Sequence, residues 1–431
     1  SAAVGGFMRA VSWLIVMVVG IGPGCGDHDL KSVAPESPVG VDTGEVWDVP
    51  WEEGCNPLAI RDDCLLPYPS LYFTEPDAST ATGLRLNYSS EQFRGPDGEL
   101  DFDLGMINIA DGISPVTPIL VNFGVDIDEA FLSGSGEQAE TVESGAPIAL
   151  IHSSTGTAIP VLTEMDQANR HLSAYDDRHP LIIRPLAPME PGERYIVLLS
   201  SSLRDVDGRA LSSPPVFEAL RDGIATDDSV VEGMRERFES NFAVASDAGW
   251  NRGDLLLSWD FQVASDTHLL GPARSMREQV MAITAEASPS YTIDEVQTDP
   301  NDSVAWLVSG TFTPPSFLDG ENNLVLEGTE VVHQADDDRT YPFTMVVPAV
   351  ARDHGDLSLV LVGHGLFGTG SSMLVGGSAE ASFHPIANEL GAVLIATDWV
   401  GLSGGDLSLI ISEILTDLSR IRVVTDRLVQ S

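Results

Sequence analysis

The sequence predicts a mixed chain, with an all-β sandwich-like region first, a mainly helical connector next and a parallel α/β sheet last. Three observations carry that expectation. From Asn56 to about Ala219, strand-length apolar runs are broken by Pro, Gly, Asp and Ser, with no convincing helical period between them. From about Ser229 to Ala287, apolar residues recur at three-four spacing with charges between them. From Tyr291 onward strand-like and helix-like stretches alternate, and the strands are almost continuously apolar.

Residues 1–25 read as upstream residues and an export signal. "SAAVGGF" precedes Met8, which looks like the true start. Met8-Arg9 and "AVSWLIVMVVGIG" then form a short positive region and an apolar core, too short to span a bilayer comfortably. The run ends in "GIGPGC", which makes Cys25 the candidate lipid anchor; an ordinary cleaved signal, or a free thiol, is the alternative. Cysteine parity favours the anchor. The chain has three Cys, and an odd count in an exported protein leaves one over. Cys55 and Cys64, in "CNPLAIRDDC", can close a small disulfide loop in an oxidising compartment, leaving Cys25 as the spare. Residues 26–54, rich in Pro, Gly and acid, read as a flexible acidic tether.

A net charge of −43, with Lys31 the only lysine, argues against nucleic acid and against electrostatic adhesion to anionic headgroups. The acidity is spread along the chain, as solubility in a salty or extracellular setting requires. "DVDG" (Asp205 to Gly208) and "QADDDR" (Asp336 to Asp338) are the places to check for calcium, but neither has a full loop of ligand spacing. No metal and no cofactor is expected.

In region 55–220, "TGLRLNY", "TPILVNF", "APIALIH", "HPLIIRPL" and "RYIVLLSSSL" read as strands. "PLAPMEPGERYIVLLSSSLRDVDGRAL" resembles the closing strands of bacterial Ig-like modules, with a Pro-Gly turn feeding a strand through Tyr195. The connector, 221–289, holds two amphipathic helices around a strand, "DLLLSWDFQVAS", whose Trp259 and Phe261 share one face and suit a core. In region 290–431, "VAWLVSGTFTPPSFL", "YPFTMVVPA", "LSLVLVG" and "AVLIATDW" read as strands. "GGSAEASFHPIANELG" reads as a helix, and "LSLIISEILTDLSRIRVVTDRLVQ" as a long amphipathic one.

"LVLVGHGLFG" carries the chemistry. A buried strand delivers Gly363-His364-Gly365-Leu366 to the carboxyl edge of the sheet, where open α/β folds bind ligands. In α/β-hydrolases a His-Gly pair in this position lets the following backbone N–H groups point at a substrate oxyanion. The candidate oxyanion loop is therefore His364, Gly365, Leu366 and Phe367. Leu366 and Phe367 N–H are the donors, and glycine supplies close approach and unusual dihedrals. His364 is expected to hold the loop rather than act as a base. The bland alternative is a glycine-rich turn around a core histidine.

Taken together, "CNPLAIRDDCLLPYPSLYFTEPDASTATGLRLN", "DGISPVTPIL", "LIIRPLAPMEPGERYIV" and "VGHGLFG…ATDWVGLS" resemble exported bacterial lipases and esterases with a virulence-factor-lipase-type N-terminal domain ahead of an α/β-hydrolase domain. The resemblance spans most of residues 55–431. It implies a cell-envelope or secreted hydrolase of carboxylic esters, with an ester or lipid as substrate and the membrane reached through the lipid anchor.

Gly401-Leu402-Ser403-Gly404-Gly405 fits G-x-S-x-G, the nucleophile elbow. In the hydrolase order the oxyanion loop follows strand three and the nucleophile strand five, whereas "AVLIATDW" reads as strand four. Downstream of Ser403 lie Asp406, Asp417 and Asp426 but no His. Ser403 is therefore expected to be a decoy. Nucleophile, acid and base are expected beyond Ser431, so the chain reads as an inactive N-terminal fragment of a serine ester hydrolase. The competing expectation is a non-catalytic surface protein whose Ig-like module binds or supports, on a degenerate hydrolase scaffold.

Overall fold

A computed structural model describes residues 46–60, 63–95, 98–99, 104–134, 136–167, 179–337, 339–414 and 420–431. Met8, Cys25 and the tether up to residue 45 lie outside the described residues, as do Asp338 and Asp417. Among the described residues no helix is long and apolar enough to cross a membrane. The chain divides into two compact units, Ser1–Leu269 and Leu270–Ser431.

The first unit contains, in chain order, β1 (Thr74–Pro76), β2 (Leu84–Leu86), β3 (Ile119–Val121), β4 (Ile148–His152), β5 (Ala158–Ile159), β6 (Val161–Met165), β7 (Leu181–Pro185), β8 (Arg194–Ser200) and β9 (Leu255–Gln262). β1 and β2 form a hairpin; the others form two antiparallel sheets, ordered β3-β7-β6 and β9-β8-β4-β5. β6 buries Val161, Thr163 and Met165 and half exposes Leu162 and Glu164, the alternation of a sheet with one face on the core. β8 lies between β9 and β4, and Tyr195 through Leu199 are all buried, which is why "YIVLL" does not alternate. Ile119 and Ile183 of one sheet share a single core with Leu150, Val197 and Trp259 of the other.

β9 comes from the stretch that reads as connector, yet it pairs with β8 from Arg194↔Gln262 to Leu199↔Leu257. Its buried Trp259 donates Nε1–H to Pro69 O at 2.9 Å. Asp260, also buried, accepts from Arg194 at 2.8 Å and faces Arg237 at 3.4 Å. Arg237 lies on α2 (Ser229–Asp247), which follows α1 (Pro215–Asp222). The capping carboxylate of Asp228 starts α2, accepting from Val230 and Val231 N–H at 2.8 and 3.1 Å. Phe217 of α1 meets Phe238 and Phe242 of α2 edge to face.

One local pairing of this unit matches the sequence expectation, and two turns carry their own hydrogen bonds. Cys55 and Cys64 are disulfide bonded, with Cα atoms 4.4 Å apart. Glu190 N–H donates to Tyr195 Oη at 2.8 Å, a tyrosine corner across the Pro-Gly turn. Asp205 Oδ1 accepts from Asp207 and Arg209 N–H at 2.9 and 2.7 Å, so the "DVDG" carboxylate closes its own turn.

α3 (Asp266–Glu286) carries the chain into the second unit, where β10 (Ser290–Asn301), β11 (Val304–Thr313), β12 (Leu326–Glu327), β13 (Glu330–Val331), β14 (Tyr341–Pro348), β15 (Ser358–Leu361) and β16 (Ala392–Thr397) follow. The main sheet has the order β10-β11-β14-β16-β15. It is mixed rather than parallel: β15 and β16 alone run parallel, and every other neighbouring pair is antiparallel. The reason is connectivity. β10 to β11 is a tight turn and can only be antiparallel, whereas β15 and β16 are joined through α4 (Gly370–Leu374) and α5 (Gly377–Leu390), long enough for a parallel crossover.

Val304, Val346, Leu374, Ala387, Leu394 and Ala396 form the core under these helices. The expected burial on both faces fails for β15, whose four residues are all exposed because it is an edge strand. The terminal stretch read as one helix is described as helical turns over Leu407–Ile414 and as α6 (Ile421–Gln430).

Candidate functional site

β15 and β16 run parallel, so the chain leaves both at the same edge of the sheet. Two loops meet there: 362–369 after β15, and 398–404 after β16. Three hydrogen bonds join them, and a fourth ties the start of α4 to the second loop. Trp399 N–H donates to His364 Nε2 at 2.7 Å, and Phe367 N–H to Leu402 O at 2.8 Å. Gly404 N–H donates to Gly368 O at 2.8 Å, and Gly370 N–H to Asp398 Oδ1 at 2.7 Å.

His364 is buried and both its ring nitrogens are used. Because Nε2 accepts from Trp399, the ring proton sits on Nδ1, which donates to Gly365 O at 2.8 Å. The ring thus ties one loop to the other. Gly365 O also accepts from Gly368 N–H at 2.9 Å, closing a tight turn with Leu366 and Phe367 at its tip.

The glycines work differently from the sequence expectation. Gly365 has open space where a Cβ would stand, and its φ is not in the left-handed region. The residue with the unusual dihedral is Phe367, at φ 58°. A non-glycine residue held there is strained, and such strain concentrates at functional sites. Close approach belongs to Gly363, where a Cβ would stand 2.4 Å from the Trp399 ring, and to Gly368, where it would stand 3.1 Å from His364 Cβ.

The two candidate donors are also separated. Phe367 N–H is committed to Leu402 O, whereas Leu366 N–H has no acceptor among the described residues and its side chain is exposed. One donor remains. Trp399, whose place the sequence marked only as part of "TDW", sets its ring against Gly363.

Ser403 lies in the second loop, buried. Its Oγ donates to Asp406 Oδ2 at 2.6 Å, and Gly401 and Ser403 N–H donate to the same oxygen at 2.8 and 2.9 Å. Arg427 of α6 pairs with the other oxygen of Asp406. The first glycine of G-x-S-x-G is required by packing: Gly401 has φ 104°, and a Cβ there would stand 2.7 Å from Val424 O. Ser403-x-x-Asp406 was legible as a capping pattern; the Arg427 partner was not.

His384, on α5, is buried away from this edge, with Nε2 on Leu374 O at 2.8 Å and Nδ1 on Asn301 Nδ2 at 2.9 Å. A polar cavity of about 650 Å³ lies at the start of β15, against Asp353, His354 and Asp356, at the other end of the strand from the loop. Among the described residues no three His, Cys, Asp or Glu side chains form a metal-binding group. At the second calcium candidate, Asp337 accepts from Ser316 Oγ at 2.5 Å and pairs with Arg339 at 2.8 Å. No protein-family model matches this chain, and no curated protein matches it.

Proposed function

We propose that the second unit is the opening part of an α/β-hydrolase-type sheet, and that the loop at 363–368 is its oxyanion loop. The chain is then part of an exported serine hydrolase of carboxylic esters. The observation that carries this reading is the free Leu366 N–H at the carboxyl edge of a parallel strand pair, presented by a turn that His364 fixes to the neighbouring loop. Counted from β11 along the strands of the main sheet alone (β11, β14, β15, β16), the loop follows the third strand and Trp399 the fourth, which matches the hydrolase count. In the first unit, the tyrosine corner and two antiparallel sheets on one core support an Ig-like sandwich. Export and anchoring through Cys25 belong to the same reading; fatty-acid labelling lost in Cys25→Ser tests them.

Chemically, a preorganised N–H donor lowers the energy of the tetrahedral oxyanion more than that of the ground-state carbonyl, and one such donor contributes about 10²–10³ in rate. His364 acts here as a positioning residue, with no free nitrogen to take a proton. Ser403 contributes no nucleophile in this reading.

The test is a titration of ¹⁵N-leucine-labelled protein with acetamide, a neutral carbonyl probe. The Leu366 amide signal should move and saturate, and Leu366→Pro, which takes away that N–H together with the leucine side chain, should abolish the acetamide shift read at the neighbouring Leu402 amide. A Leu366 signal that stays still would overturn the reading. A non-catalytic surface role is the second reading, and the commitment of Phe367 N–H to Leu402 O, which leaves a single candidate donor, favours it.

A further inference from the structure

We propose that the first unit carries a nucleophilic site of its own, in which Ser154 Oγ attacks small neutral carboxylic esters and His152 is its general base. The inference stands apart from the oxyanion reading of the second unit and shares no residue with it.

β4 ends at His152, and a tight turn leads back into β5, its antiparallel neighbour. His152 N–H donates to Thr157 O and Gly156 N–H to His152 O, both at 2.9 Å, and Gly156 supplies the left-handed φ of 70°. This turn brings Ser154 back to the imidazole. Ser154 N–H donates to His152 Nδ1 at 3.3 Å, and Ser154 Oγ stands 3.1 Å from the same nitrogen. A backbone N–H can only donate, so Nδ1 is the unprotonated nitrogen and the ring proton sits on Nε2. The Ser154 hydroxyl therefore donates to Nδ1 as well, which is the direction a general base requires.

His152 is buried, with its ring edge to face against Tyr195 at 5.0 Å between centroids. Its Nε2 lies 3.7 Å from a carboxylate oxygen of Glu190 and 3.7 Å from one of Glu193. These two positioning residues favour the imidazolium that forms when Nδ1 takes the serine proton. Ser154 itself is exposed, so a substrate can reach Oγ. The next N–H along the chain, that of Thr155, has no acceptor among the described residues, and serine elbows use the donor at this place for the oxyanion. In the reaction Oγ bonds to the acyl carbon as its proton passes to Nδ1. The alcohol then leaves with the electron pair of its C–O bond and takes up that proton. Water releases the carboxylic acid from the acyl-serine by the same route. The side chains of Glu190 and Glu193 are 76% and 41% exposed, so their charges repel anionic substrates and favour neutral esters.

The experiment treats the full chain with an alkyl fluorophosphonate, which an activated serine captures by forming a P–O bond and expelling fluoride, and maps the modified peptide by mass spectrometry. Ser154 should be labelled with saturation kinetics, and Ser154→Ala should abolish that label. His152→Gln should slow labelling by about 10²-fold or more, as loss of a general base does. Glu190→Gln combined with Glu193→Gln should lower the maximal rate about tenfold or more and leave the half-saturating probe concentration unchanged. A lost structural contact alone would not give that split. Should His152→Gln fail to fold, Ser154→Cys at this exposed position carries the test. Its thiol, paired with the same imidazole, should be alkylated by iodoacetamide about tenfold faster than that of Thr155→Cys. Phosphonate on another serine, Ser403 included, with Ser154 unmodified would overturn the proposal. Equal alkylation rates in the two thiol variants would overturn it too.

Discussion

The hydroxyl of Ser403 donates to Asp406 Oδ2 at 2.6 Å, and that carboxylate also holds two backbone N–H groups and Arg427. Ser403 is thus an anchor for its loop. Ser403→Ala should leave any p-nitrophenyl acetate turnover by the protein unchanged within about twofold, and cost about 1 kcal/mol of stability. Asp406→Ala should cost about 3–5 kcal/mol, because it strands the Arg427 charge and two N–H donors. Urea midpoints of both variants, measured beside ester turnover, check the pair. A turnover abolished by Ser403→Ala would make it the nucleophile after all.

His364→Phe removes the acceptor of Trp399 N–H and the donor to Gly365 O. A buried N–H left unpaired costs about 1–3 kcal/mol. Amide exchange at Trp399 and Phe367 should therefore accelerate by about tenfold or more, while exchange in β8 stays as it was. Hydrogen-exchange mass spectrometry on peptides from the two loops reads this directly; unchanged protection there would show that the ring does not tie them.

Reducing the Cys55–Cys64 bond, or replacing both residues by Ser, should destabilise the first unit by about 2–3 kcal/mol, the chain-entropy cost of a loop this short. The second unit should melt unchanged. Differential scanning calorimetry with and without reductant separates the two.

Glu232 shows how the first unit responds to acid. A hydrogen bond from Arg235, with others from Thr226, lowers its carboxyl from 4.5 to about 2. A depressed folded pKa contributes stability above the unfolded value, and that contribution is lost as pH falls from about 4.5 toward about 2. The pair is more than a third exposed on the Glu232 side, so solvent screening holds the contribution below about 1 kcal/mol. Glu232→Gln should lower stability at pH 7 and flatten the acid limb of a urea-midpoint profile. An acid limb as steep as that of the unsubstituted protein would assign the loss to other carboxylates.

Local chemistry decided what the sequence could decide alone. The three-four spacing of "VVEGMRERFESNF" determined α2, because a helix face is set by neighbours a turn apart. The odd cysteine count and the short spacing of Cys55 and Cys64 determined the bridge. Tertiary structure decided everything that depends on a distant partner. The pairing of β9 with β8 joins segments some sixty residues apart, and no local period records it. "SLVL" looks like a buried strand, yet lies exposed because burial follows position in the sheet order rather than composition. G-x-S-x-G looks like an elbow, yet Arg427 and Asp406, 21 residues apart, turn its serine into an anchor. The left-handed φ fell to Phe367 rather than to a glycine, in a turn held by three bonds to the second loop. Short-range sterics and periodicity act within a turn or two of the chain; sheet order, edge exposure and the geometry of two loops are fixed by contacts that exist only once the chain has closed on itself.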